Sequence, residues 1–312
     1  MIRQFLGIIL SAIYALVIRV LGEWNIIDIN SFSYLIITPM ALGFIPFYFK
    51  GGGFRKNVWV AIFYPLLSVL IFLIIAIITH LEDLLCFIII GIPYIILSVL
   101  ASIVLFYITK EKKENDDEEL NKRSLSVLLL PVLFGMIEKE LPKVKTDLSV
   151  SNTIVIDLPD TVIWNHLFEI PDLSEANASG FINYLGVPQP LRSTYDSISN
   201  TRLGYFEKGI LLNESVVEQV DYQKLVFAIN IEKSRFGSHP TLNHILKAEN
   251  MEFKQIQYEL KRLNNGQTLL KLSTNYRIHS NLPFYGKFWS TRIIDDFERK
   301  LLGSLKKVLE KK

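Results

Sequence analysis

Two carboxylates four residues apart, Glu214 and Glu218, flank Val216 in the alternating stretch ILLNESVVEQV, residues 210–220. In an extended strand side chains repeat every second residue, so both fall on one face, and an inward carboxylate can take or deliver a proton. The competing outcome is pairing with a cation on a neighbouring strand, for which Arg202 and Lys208 are at hand. His239 and His244 stand five apart around Pro240. That spacing puts them on different faces of a helix, and no metal site is expected there. His166 in DTVIWNHLFEI reads as a surface or hydrogen-bonded residue rather than a general base. The signatures G-x-S-x-G, H-E-x-x-H and the glycine-rich phosphate loop do not occur in the chain. Catalytic residues are therefore unknown, and no cofactor is expected.

A second set of residues is suited to binding rather than reaction. Phe227, Ile229, Tyr258, Leu260, Leu270, Leu272 and Tyr276 alternate along strand-like segments, and Trp289 and Ile293 open a helical pattern. Tyr and Trp offer an apolar body with a polar tip, which suits the wall of a pocket; the same set can instead fill a core.

The elements that must position these side chains follow from periodicity. Strand patterns occupy residues 150–159, 201–208, 210–220, 224–232, 252–262 and 267–278. A short helix is expected over 160–170 with Asp160 near its start, and a helical or irregular segment over 173–185 ends at GVPQP. Asn264-Asn265-Gly266 is a hairpin signal. From about Pro283, Phe288, Trp289, Ile293, Phe297, Leu301, Leu305 and Val308 recur at helical spacing opposite Arg292, Asp296, Arg299 and Lys306. This order implies one curved antiparallel sheet wrapped on a long C-terminal helix.

The first part of the 312-residue chain is different. Half of the residues are hydrophobic and the net charge is +2, but these averages conceal a split near residue 142. Apolar runs at about 5–21, 32–49, 58–78 and 84–108 each approach the roughly 20 residues that cross a bilayer. A fifth, 124–137, has only about 14 uncharged residues, a length more usual for an interfacial or core helix. Lys122-Arg123 before it and Glu138 and Glu140 after it favour a crossing. Lys50, Arg55 and Lys56 follow the second run, and Lys110, Lys112, Lys113, Lys122 and Arg123 follow the fourth, whereas HLED after the third has no Lys or Arg. The positive-inside rule then makes the N-terminus cytoplasmic. Residues beyond 143 are extracytoplasmic if 124–137 crosses, and cytoplasmic if it does not. Arg19 sits near a span end and is expected to snorkel. With no Asp, Glu, Lys or His in mid-span, the spans read as an anchor rather than a transport path.

Near-neutral charge without a Lys/Arg patch argues against a nucleic-acid partner. Cys86 is the single cysteine, which excludes an internal disulfide and a cysteine-built zinc site.

The phrases TIVIDLPDTVIWNHL, TRLGYFEKGILLNESVVEQVDYQKLVFAI, IQYELKRLNNGQTLLKLSTNY and FYGKFWSTRIIDDFERKLLGSLKKVLE resemble the polyketide cyclase/dehydrase branch of the START-like (SRPBCC), helix-grip superfamily over residues 148–310. The multi-span half with LEDLLCFIIIGIP is similar to a bacterial membrane-anchored group of such domains. The resemblance implies a transmembrane domain, 1–142, followed by a START-like α+β domain, 143–312. It also implies a cavity between sheet and C-terminal helix that holds a hydrophobic small molecule or lipid, with the bilayer as the other partner and the protein partner unknown. Phe227, Ile229, Tyr258, Leu260, Leu272, Tyr276, Trp289 and Ile293 are the candidate wall, and Glu214 and Glu218 its candidate polar groups. A cyclase or hydrolase using the same cavity, and a membrane interaction protein with a filled core, stay open as alternatives.

Overall fold

A computed structural model of the chain describes residues 2–50, 57–109, 117–177, 181–237, 250–264 and 266–311. The chain forms two compact units, residues 1–143 and 144–312.

The first unit is helical because long Ile, Leu, Phe and Val runs satisfy their own backbone hydrogen bonds without water only as helices. It comprises α1 (Ile2–Glu23), a π-helical turn (Ser33–Ile37) leading into α2 (Thr38–Lys50), α3 (Val58–Ile78), α4 (Leu84–Thr109) and α5 (Asp117–Lys139). Three stretches among the described residues are long and apolar enough to cross a membrane: Phe5–Glu23, Val58–Ile78 and Leu84–Thr109. Of the four or five runs expected, those at 32–49 and 124–137 do not reach this length and hydropathy among the described residues. The second run gives a shorter apolar helix, Ser33–Phe47. The run at 124–137 is the second part of α5, whose first turns carry Asp117, Glu118, Glu119, Lys122 and Arg123.

Small residues let these helices approach closely. A Cβ on Gly43 of α2 would collide with the Ser98 carbonyl of α4. Ser11 donates to the Leu42 carbonyl at 3.3 Å and Tyr14 to the Leu128 carbonyl at 2.7 Å, tying α1 to α2 and to α5.

Arg19 does not snorkel. It is fully buried, ion-paired with Glu82 of the α3–α4 turn and with Glu23 at 2.7 Å, and it donates to the Leu81 carbonyl at 2.8 Å. A cation with a carboxylate on the facing turn gains more by turning inward than by reaching for water. At the same end the Glu138 carboxylate accepts the Phe32 and Ser33 amides at 2.7 and 2.8 Å. Lys139 donates to the Asn25 carbonyl, and Lys143 pairs with Asp28 at 2.5 Å. The C-terminal ends of α1, α3 and α5 thus meet at one end of the unit.

The second unit is a seven-stranded sheet in the order β1-β7-β6-β5-β4-β3-β2, antiparallel throughout. In chain order it runs β1 (Val144–Ile156), α6 (Asp160–Phe168), α7 (Phe181–Tyr184), β2 (Pro190–Asp196), β3 (Thr201–Phe206), β4 (Leu211–Val220), β5 (Lys224–Arg235), β6 (Met251–Arg262), β7 (Thr268–Ser280) and α8 (Pro283–Glu310). The expected sheet and long C-terminal helix are present. β1 begins earlier than residue 150 because its ladder with β7 continues to Val144 opposite Ser280. β2 was not expected, since Pro188 and Pro190 made its approach read as irregular. The β6–β7 turn is closed by Leu263 N–H to the Gln267 carbonyl at 2.8 Å, with Gly266 at φ +83°; Asn265 lies outside the described residues.

α8 lays Ile294, Leu301, Leu302, Leu305 and Leu309 against the sheet. Its C-terminal half packs with Ile156, Leu225, Phe227 and Leu270, and with Ile163, Trp164 and Leu167 of α6. Each buried Leu, Ile or Phe contributes about 1.5–3 kcal/mol, which holds helix to sheet.

Candidate ligand cavity

Toward the middle of α8 the contact with the sheet gives way to a cavity of about 190 Å³. Its helix wall is Ile293, Ile294, Phe297 and Leu301. Its sheet wall comes from β2 to β7, including Phe206, Leu212, Ile229, Ile256, Tyr258 and Leu272. Gly204, also in the wall, adds no side chain to the space.

Arg192, Ser193 and Thr274 border the cavity, and the buried charged part of its wall is an ion pair. Arg202 on β3 and Glu214 on β4 are directly opposed in the register, joined Nε to Oε2 at 2.6 Å, and both buried. Arg202 Nη1 also donates to the Leu167 carbonyl at 2.7 Å. Its Cζ lies 3.7 Å from the centre of the Phe227 ring and 5.5 Å from that of Tyr258, so the cation is both hydrogen-bonded and stacked. Burial is the largest single influence and works against the Arg202 charge, but the Glu214 carboxylate and the Tyr258 hydroxyl together outweigh it and hold the guanidinium above its ordinary pKa. Burial, helped by the Glu214 charge and partly offset by Arg202, raises the Tyr258 phenol above its ordinary value. Tyr258 therefore keeps its proton.

Of the expected residues, Ile229, Tyr258, Leu272, Ile293 and Glu214 line the cavity. Phe227 lies beneath Arg202 in the packed core, and Leu260 belongs to the same core. Tyr276 packs with Val150, Ile278 and Ile294, its hydroxyl 3.1 Å from both Ser290 and Thr291. Trp289 stacks edge-on with Phe288 near the start of α8. Glu218 turns outward and pairs with Lys224 at 2.8 Å, because a bulge between Val216 and Glu218 breaks the alternation.

The wall residues not anticipated have a similar origin. A second bulge, between Phe253 and Gln255, brings Phe253, Ile256 and Tyr258 to one face at a spacing that strict alternation forbids. Leu212 stands opposite Gly204 in the β3–β4 register, and Phe206 follows two residues beyond Gly204 on the same face. Glu298 of α8 is fully buried beside the cavity, accepting from Asn152 at 2.9 Å and from the wall residue Thr274 at 2.7 Å. Burial raises its carboxyl above the ordinary value despite these bonds.

His166 is half-buried in the last turn of α6, and His239 and His244 lie outside the described residues. Among the described residues, no group of three His, Cys, Asp or Glu side chains is placed to hold a metal ion.

No protein-family model matches the chain, and no curated protein matches it. Among solved structures it is similar to the Zhui aromatase/cyclase from Streptomyces sp. R1128, at 10% identity, covering 53% of this chain and 93% of that one with a TM-score of 0.34. It is also similar to a protein from Chromobacterium violaceum, at 13% identity, covering 52% of this chain and 96% of that one with a TM-score of 0.32. The protein XoxI from Bacillus cereus is similar at 10% identity, covering 52% of this chain and 94% of that one with a TM-score of 0.31.

Proposed function

We propose that residues 144–312 form a START-like module, anchored in the membrane by residues 1–143, that binds a hydrophobic small molecule or lipid in the cavity between sheet and α8. The observation that carries this is the make-up of the wall: apolar side chains on both layers, with Arg202 and Glu214 already paired to each other. The buried part of this wall favours a ligand with an apolar body and an uncharged hydroxyl or carbonyl, because a charge placed there would have to break the buried pair. Acid/base catalysis would need a further inward group beside Glu214, whose Oε2 is engaged by Arg202.

The anchor reading extends to α2 and α5 as crossing helices. α5 carries exposed Leu129, Leu133, Phe134, Met136 and Ile137, as a lipid-facing helix does. Its Leu128 carbonyl accepts from Tyr14 of α1 and its Glu138 carboxylate from the Ser33 amide of the π-helical turn, which ties it to α1 and to the start of α2. It starts from the end served by the Lys- and Arg-rich loops and finishes at the end of the Arg19–Glu82 pair. By the positive-inside rule the N-terminus is cytoplasmic and residues 144–312 are extracytoplasmic.

Native mass spectrometry of the full chain, purified in mild detergent, tests the binding reading. A discrete added mass that is lost on unfolding and retained through detergent exchange supports it. A bare polypeptide mass, unchanged after incubation with bacterial lipid extract, would rule it out.

A further inference from the structure

We infer that the first two turns of α8 are an interfacial anchor that seats the domain of residues 144–312 on the surface of the bilayer crossed by α5. Phe284 and Phe288 are 84% and 46% exposed. They lie four residues apart and so share one side of the helix, in line with Arg292, whose guanidinium Cζ stands 5.7 Å from the centre of the Phe288 ring. Tyr285 and Trp289 flank them, their rings packed edge to face with centres 6.3 Å apart, and Lys287 and Arg292 are exposed. Aromatic rings interleaved with cations on an exposed helix end suit the headgroup layer, where the rings sit at the apolar boundary and the cations meet phosphates.

Chain connectivity identifies which surface is met. Ser280 pairs with Val144, and α8 begins at Pro283, so the patch stands at the end of the sheet where β1 enters. Four residues, 140–143, separate the end of α5 from Val144, a connection that reaches at most about 18 Å. Val144, 52% exposed, adds apolar surface at that end of the sheet. The anchor rests on the reading of α5 as a crossing helix. It also supplies the ligand's source, because Ile293, Ile294 and Phe297, on the turns just after the patch, line the cavity. A molecule leaving the bilayer would follow one helix from lipid to pocket.

The test uses the full chain in nanodiscs containing anionic lipid, in a Cys86→Ala background, with a bimane label at Phe284→Cys or, at the far end of β6, at Arg262→Cys. Lipids carrying a quencher near the headgroup should quench the label at 284 several-fold more than at 262. Adding Lys287→Glu and Arg292→Glu should weaken that quenching without lowering the melting temperature. Equal quenching at the two sites would overturn the anchor. So would a label at 284 shielded equally in micelles and nanodiscs but insensitive to the lipid quencher, the pattern of a contact with a second copy. Bound mass measured on the same samples separates the two readings: adducts that persist without quenching at 284 defeat the anchor alone.

Discussion

Arg202 and Glu214 stand opposite each other on β3 and β4, closing at 2.6 Å in the wall of a largely apolar cavity. Removing one partner strands the other. Arg202→Ala should therefore cost about 3–5 kcal/mol in urea unfolding, as breaking a buried pair does, whereas Arg202→Met with Glu214→Leu should recover most of the loss. If the double variant is as unstable as the single one, packing by the guanidinium and not its charge holds this wall.

Phe227 and Tyr258 separate core from cavity. Their rings meet edge to face, 6.2 Å between centres, but Tyr258 borders open space and Phe227 does not. Phe227→Ala should lose about 3–5 kcal/mol, and Tyr258→Ala clearly less, since the space it vacates joins an existing cavity. Equal losses in urea titrations would mean that Tyr258 is packed as core.

Glu298 makes stability depend on pH. Its ordinary value is 4.5 and burial raises it in the folded protein, so the folded state holds this proton more tightly than the unfolded chain does. Its contribution is full below about 4.5 and is lost as pH rises through the higher folded value. Glu298→Gln cannot ionise. Its melting temperature should match wild type under acid conditions and exceed it increasingly toward neutrality, and a gap independent of pH would contradict this.

The crossing of α5 predicts the side on which the domain lies. Asn264→Cys in a Cys86→Ala background, in the exposed β6–β7 turn, should react with a membrane-impermeant thiol reagent in intact spheroplasts. Reaction only after lysis would place the domain in the cytoplasm and end α5 short of a crossing.

Much of the fold was legible because its elements carry simple periods: the apolar stripe of α8 and the alternation of β4 to β7 follow directly from one-sided burial. The site was legible only where those periods hold. Ile229, Tyr258 and Leu272 were found, but the bulges at Val216/Glu218 and Phe253/Gln255 turned Glu218 out and Phe253 in. Alternation also identifies the inward face without telling cavity from core, which is why Phe227, Leu260 and Tyr276 were grouped with true wall residues. Arg19 was misplaced for another reason: its partner Glu82 is 63 residues away, and no local pattern announces a pair at that distance.

Ile229, opposite Glu214 in the β4–β5 register, projects into the proposed ligand space and offers the most direct test of binding. The measurement is titration of an uncharged fluorescent probe, a fatty alcohol carrying the fluorophore on its chain, into full-length wild type and Ile229→Trp, with the melting temperature of each recorded. Saturable binding by wild type, lost in a variant that still unfolds cooperatively near the wild-type temperature, is the predicted result. Absence of wild-type binding, or equal affinity in both proteins, would contradict a ligand held between the sheet and α8.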